Sequence, residues 1–161
     1  MFIDAANILY SQQTLGWEID YKKLIEYFKK NTELVCANFY SGKDSRNSKQ
    51  ESFFKKMASF GYQVTTKEVK WIRDRNTKVL KGKGNLDIEL ALDVVQSMDK
   101  YDTLVLLSGD SDFEPVVSLV KRNGKKVLVL STRGHVSKEL ARAADKYIPL
   151  ETLKREVKRG N

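Results

Sequence analysis

Leu104-Val105-Leu106-Leu107-Ser108-Gly109-Asp110-Ser111-Asp112-Phe113 is the stretch that decides the fold. Its first four residues are apolar without a polar alternation, which suits a strand buried on both faces of a parallel sheet. Two carboxylates, Asp110 and Asp112, follow within five residues of the strand's last leucine. Residues 114–122 then read as a helix, with Pro115 tolerated in its first turn and Gly124 closing it. A strand that empties into a polar loop and continues into a helix is part of a βαβ unit.

The same grammar extends in both directions. Downstream, 126–130 reads as a strand, 136–144 as a helix, and Tyr147-Ile148-Pro149-Leu150 leads into a short basic helix. Upstream, Met1-Phe2-Ile3 starts a strand at once and runs into Asp4. Asp20 caps a helix over 21–30, whose Tyr21, Leu24, Ile25 and Phe28 form one apolar stripe. Residues 34–40 read as a strand, 41–49 as a polar turn, and Phe53, Phe54, Met57 and Ala58 as the face of a helix stopped by Gly61. A strand over 62–66 follows, then a charged segment over 67–83, then a helix over 86–98 with Leu90, Ala91, Val94, Val95 and Met98 inward. Strands alternating with helices predict right-handed βαβ connections. The expected fold is α/β, a Rossmann-like three-layer α/β/α sandwich with a mostly parallel central sheet, formed by 1–161 as one domain.

A chain of 161 residues buries roughly 70% of its unfolded surface, so a core can form without staples. The single Cys36, in an apolar run, is expected as a buried free thiol and excludes an internal disulfide or a cysteine-cluster zinc site. No apolar run approaches the ~20 residues of a membrane span and no secretory leader is read, so a reducing cytoplasm is the expected compartment. The net charge of +8 favours polyanionic partners, or serves solubility alone.

In parallel α/β sheets the reactive groups lie beyond the C-terminal ends of the strands. Asp4 ends the first strand, and Asp110 and Asp112 follow the 104–107 strand, so the three reach one edge. Asp87 lies three and four residues before Leu90 and Ala91 and so continues that helix's inward stripe. Each acid alone could merely cap a turn or favour a helix dipole. Four together repel, and a divalent cation would relieve them. Oxygen-only ligands favour Mg²⁺ or Mn²⁺, which can activate water for phosphoryl displacement. Asp93, on the polar face of its helix, is expected to be simply solvated. Asn7 could hold water or phosphate, or only shape the first turn, and Ser108 could donate to a phosphate or to the turn backbone.

Phe2-Ile3-Asp4-Ala5-Ala6-Asn7, Lys83-Gly84-Asn85-Leu86-Asp87 and Ser108-Gly109-Asp110-Ser111-Asp112-Phe113 together resemble the NYN domains, including LabA-like proteins, of the PIN-like nuclease superfamily. The segment from Leu140 to Ile148 is similar to that family's closing stretch. The resemblance implies that Asp4, Asp87, Asp110 and Asp112 are the catalytic and metal-binding acids, supported by Asn7. It also implies a Mg²⁺- or Mn²⁺-dependent endonuclease acting chiefly on RNA, single-stranded or structured. Ala5 departs from a frequent glycine without removing an acid. A silent RNA-binding, regulatory or toxin-like module is the alternative. The Asp110-Ser111-Asp112 order is also similar to the nucleophile motif of haloacid-dehalogenase phosphatases, although that motif follows a first strand. Sequence leaves homodimer formation open.

Residues 67–83 carry seven basic residues against two acidic, a net +5 of the chain's +8. Lys67, Lys70, Arg73, Arg75, Lys78, Lys81 and Lys83 would border the crevice, and Arg73, Arg75, Lys81 and Lys83 are the expected substrate contacts there. Trp71 could stack on an unpaired base, but packing on the core is the reading preferred for it. Lys154, Arg155, Lys158 and Arg159 extend the basic track or form a soluble end. His135, the only histidine, reads as an ordinary loop residue.

Overall fold

The computed structural model describes residues 1–73 and 80–160, and the backbone alone of 72, 73 and 80–83. In chain order the elements are β1 (Phe2–Asp4), α1 (Ala5–Leu15), α2 (Tyr21–Asn31), β2 (Asn38–Lys43), α3 (Ser48–Phe60), β3 (Gln63–Glu68), β4 (Lys70–Arg73), β5 (Leu80–Lys83), α4 (Asp87–Gln96), β6 (Thr103–Leu107), α5 (Glu114–Arg122), β7 (Lys126–Ser131), α6 (Lys138–Ala143), β8 (Lys146–Pro149) and α7 (Lys154–Val157). Six strands form one sheet in the order β3-β2-β1-β6-β7-β8, and every pairing in it is parallel. The fold is the expected α/β sandwich. β4 and β5 form a separate antiparallel hairpin.

Neighbouring strand residues point to opposite faces, so each central strand feeds two cores. Ile3, Val105, Leu107 and Leu130 pack with Leu24, Ile25, Phe28 and Met57 of α2 and α3. Phe2, Leu104, Leu106, Val127 and Val129 pack with Leu90, Val94, Val117 and Leu140 of α4, α5 and α6. That division explains the unbroken apolar run at 104–107, since neither face is left to water.

Four expectations need correction. The strand expected over 34–40 begins at Asn38 and runs to Lys43. Its ladder with β1 starts at Phe2↔Asn38, while Met1 holds the preceding stretch only by its end, its amino group donating to the Cys36 carbonyl and its own carbonyl accepting the Asn38 N–H, both at 2.8 Å. β3 then extends it through Ser41, Gly42 and Lys43, which read as turn. Second, helix α1 was not anticipated. Its exposed Leu9 and Tyr10 and buried Ser11 break any simple apolar stripe. Third, Cys36 is only partly buried, with the Asn38 amide donating to its Sγ at 3.3 Å. Fourth, Val95 of α4 faces outward, as do Ile88 and Leu92. No described helix is long and apolar enough to cross a membrane.

The strand order reverses between β1 and β6, from which successive connections run toward opposite edges of the sheet. At such a switch point the loops diverge and leave a crevice outside the strand ends. Asp4 terminates one of the two strands, and Ser108-Gly109-Asp110 terminates the other.

Candidate active site

Asp4 closes β1 and caps α1, with its Oδ1 accepting the Asn7 backbone N–H at 3.1 Å. Its Oδ2 accepts the hydroxyl proton of Ser108 at 3.0 Å. Ser108 Oγ in turn accepts the Asp110 N–H at 3.2 Å, and Asp110 Oδ1 accepts the Asp112 N–H at 3.0 Å. Asn7 reaches across the switch point, its Oδ1 accepting the Gly109 N–H at 2.9 Å. These bonds lock the ends of β1 and β6 together.

Gly109 is required by close approach rather than by backbone angle. A Cβ there would lie 1.7 Å from the His135 carbonyl oxygen, while the Gly109 carbonyl accepts the Ser137 N–H at 2.8 Å. The loop after β7 is thereby pressed against the loop that carries Asp110 and Asp112. His135 itself is tied to α1, its Nε2 lying 2.9 Å from Thr14 Oγ1 and its ring edge-on to Tyr10. It is a loop residue, as its sequence context suggests.

Asp87 comes from the other side of the crevice, as the first residue of α4. Its N–H donates to Asn85 Oδ1 at 2.8 Å, and the Asn85 amide donates back to Asp87 Oδ2 at 2.6 Å. The reciprocal pair fixes the carboxylate at the positive end of the helix. One carboxylate oxygen each from Asp87, Asp110 and Asp112 lie within 4.8 Å of one another. Ligands on opposite sides of a hard cation at ~2.1 Å sit about 4.2 Å apart, so small side-chain adjustments would close this set around one ion. All three donors are hard oxygens, which suits Mg²⁺ or Mn²⁺.

Asp4 stands beside this set, not within it. It is 9% exposed, lining the same crevice of about 830 Å³ as Asp87 and Asp110. Burial raises the Asp4 carboxyl above its ordinary value, and the bonds from Asn7 and Ser108 oppose that rise. The Asp87 and Asp110 charges add to it. Asp87 is likewise raised by burial, held back by the Asn85 hydrogen bond, and raised further by Asp110, Asp112 and Glu89. Such mutual opposition among carboxylates is what a cation relieves.

Ser108 is fully buried and its proton is committed to Asp4. It presents no surface to a phosphate. Asn7, expected either to hold water or phosphate or to shape the first turn, lies inside α1 with its Oδ1 engaged by the Gly109 N–H. Arg73, Lys81 and Lys83 sit in the β4–β5 hairpin by their backbone pairs, Arg73↔Leu80, Ile72↔Lys81 and Lys70↔Lys83. Their side chains, and Arg75 altogether, lie outside the described residues. Lys67 is already bonded to Glu89 of α4 at 2.7 Å. Asp93 is not merely solvated, because it accepts the Tyr40 hydroxyl at 2.7 Å. Trp71 is 46% exposed and does not join the core. Asn85 carries no role of its own in the motif that contains it, although an Asn two residues before a helix-opening Asp is a recognisable local capping signal. A second cavity, of about 440 Å³ beside Tyr21, Phe53 and Met57, is lined by none of the four acids.

A sequence profile of the NYN domain family matches residues 1–151. The low amplitude and bright protein LabA of Synechococcus elongatus is 37% identical over 158 residues, 96% of this chain and 84% of that protein. An uncharacterized protein of Methanocaldococcus jannaschii is 32% identical over 69 residues, 42% of this chain and 29% of its own length. The crystal structure of a protein of unknown function from Vibrio parahaemolyticus superposes with a TM-score of 0.77 at 25% identity, over 92% of this chain and 90% of that one.

Proposed function

The chain belongs to the NYN domain family, within the PIN-like nucleases, and on that premise we propose that it is a metal-dependent endoribonuclease. The observation that carries this reading is the convergence of Asp87, Asp110 and Asp112 from two separate elements at the sheet's switch point. The three carboxylates would hold Mg²⁺ or Mn²⁺, and Asp4 would contribute a fourth charge from the crevice floor. A hard divalent cation there supplies neutralisation of the scissile phosphate and a lowered pKa for the attacking water.

The chain's own residues arrange the reaction. Asn85 aims Asp87, and Ser108 couples Asp4 to the Asp110 loop. Asn7 ties α1 to Gly109, so that the acids from β1 and β6 keep a fixed separation. Fixed charges cost little reorganisation when negative charge shifts on phosphorus, which is why such sites are built rigidly. Because burial raises the Asp4 and Asp87 carboxyls, protons compete with a cation for them, and affinity for the cation falls as pH falls. The basic hairpin beside the crevice would hold flanking phosphates, with Arg73, Arg75, Lys81 and Lys83 as the contacts.

Incubation of RNA and DNA oligonucleotides with Mn²⁺ or Mg²⁺, with and without chelator, tests the reading. Cleavage of RNA that is lost on chelation, and that falls at least 100-fold in Asp110→Asn, is the expected result, a loss typical of removing a key electrostatic group. Salt-sensitive RNA binding without turnover under every metal would instead make the protein a binding module.

A further inference from the structure

Two tryptophans are present, and they have opposite fates. Trp17 is 7% exposed and belongs to the core, whereas Trp71 is 46% exposed. An indole left in water forgoes a large hydrophobic gain. This one is also held. The Arg46 guanidinium carbon lies 5.1 Å from the centroid of its ring. Arg46 is fixed in turn by Asp44, through Nε at 3.0 Å and Nη2 at 3.1 Å. Asp44 follows β2 directly, and its N–H donates at 2.7 Å to Gln50, a residue of the crevice wall.

The backbone links Trp71 to the same wall. Val69 packs so tightly between Gly42 and Gly84 that a Cβ on either glycine would come within 2.9 Å of its side chain. All three residues line the crevice that contains Asp4, Asp87 and Asp110. Val69 leads into β4, and Trp71 is the second residue of that strand. Two residues of chain span at most about 7 Å. The indole is therefore anchored within that backbone distance of the crevice wall, with Arg46 over one face.

We propose that Trp71, backed by Arg46, is a stacking subsite for one unpaired nucleobase of a strand running into the acidic crevice. Every base offers a π-face, but in a duplex those faces are covered by neighbouring pairs. The subsite thus selects single-stranded over paired nucleic acid, whatever the sequence. Of the five guanidinium donors of Arg46, Asp44 engages those on two nitrogens, leaving others for a phosphate of the same nucleotide. The inference rests on the nuclease reading only for the strand's destination.

The test is tryptophan fluorescence in an Asp110→Asn background with chelator, so that no cleavage intervenes. Single-stranded RNA and DNA oligonucleotides and the matching duplex are the probes. Single strands quench Trp71 and the duplex does not, while buried Trp17 contributes little. Trp71→Ala abolishes the quench and weakens single-strand binding roughly five- to hundredfold, as loss of one stacked base does. Trp71→Phe, which keeps a stacking face, retains most of the affinity and guards against a folding defect. Equal quenching by the duplex, or a Trp71→Ala dissociation constant within twofold of the parent's, overturns the subsite. If the otherwise wild-type protein cleaves nothing yet the quenching pattern holds, the nuclease reading fails and the subsite stands. If cleavage is metal-dependent but Trp71→Ala cleaves single strands with an unchanged KM, the subsite fails and the nuclease reading stands.

Discussion

The Asp87 carboxyl is pushed toward its neutral form by burial and then by Asp110, Asp112 and Glu89, against the pull of Asn85. Its folded pKa lies above its unfolded one, so the stability linked to it is present below the unfolded value of about 3.9 and is lost as pH rises through the folded value. Above the folded value the metal-free fold therefore carries an unfavourable charge, and below it an obligatory proton. Asp87→Asn should raise the melting temperature in chelator at pH 7, by an increment worth a few tenths to about 1 kcal/mol after allowance for solvent screening. The gain should shrink as pH is lowered toward 4, and the stabilisation that Mn²⁺ gives the wild type should vanish in the variant. Thermal denaturation with and without Mn²⁺ checks both; destabilisation of the metal-free variant at pH 7 would show that the carboxylate is satisfied without an ion. At this scale the convergence of Asp87, Asp110 and Asp112 was legible, because carboxylates after a strand and at an inward helix position are delivered to one edge, even though each alone could have been only a cap. Trp71 was not legible. Nothing in its immediate sequence says whether an indole will find room in a core, and the Arg46 that holds it lies 25 residues away.

Helix α1 shows how a reading at one residue can conceal an element. Asp4 is expected as a ligand, and the structure makes it the cap of α1, with Gly16 closing that helix at φ +68. Cap and glycine bracket a helix even though Ser11 and the exposed Tyr10 blur its apolar stripe. Asn7, in its first turn, is the bond from α1 to the Gly109 loop. Asn7→Ala would leave the Gly109 N–H without this acceptor, at a cost of about 1–2 kcal/mol. A larger loss should appear in kcat than in KM, since the loop displaced carries Asp110 and Asp112 and not the basic hairpin. Denaturant unfolding beside steady-state cleavage separates the two effects; unchanged kcat in a destabilised variant would reduce Asn7 to a structural tie. The strand β2 was misplaced for a related reason. Its apolar pattern marks the buried residues, but its ends are set by where β1 begins and where β3 continues, and pairing partners distant in sequence leave no local signature.

Across the whole molecule, the alternation of strands and helices sufficed for the sheet's class because parallel strands demand crossovers and crossovers have one hand. Strand order was another matter. The reversal between β1 and β6 depends on which apolar faces meet, and it is this reversal that gathers acids separated by about a hundred residues. The charge layout follows the same plan, with a net +5 segment at 67–83 beside an acidic floor. On the proposed function, such a segment would draw a polyanion by its flanks and leave the reacting phosphate to a cation held by the acids. The central claim is therefore that Asp87, Asp110 and Asp112 converge on a single ion. Anomalous scattering from crystals grown with Mn²⁺ measures this directly. The account predicts one strong peak between those three carboxylates, with Asp4 beside it, that disappears in Asp110→Asn; ordered side chains with no peak there, or a peak bound by other residues, would contradict it.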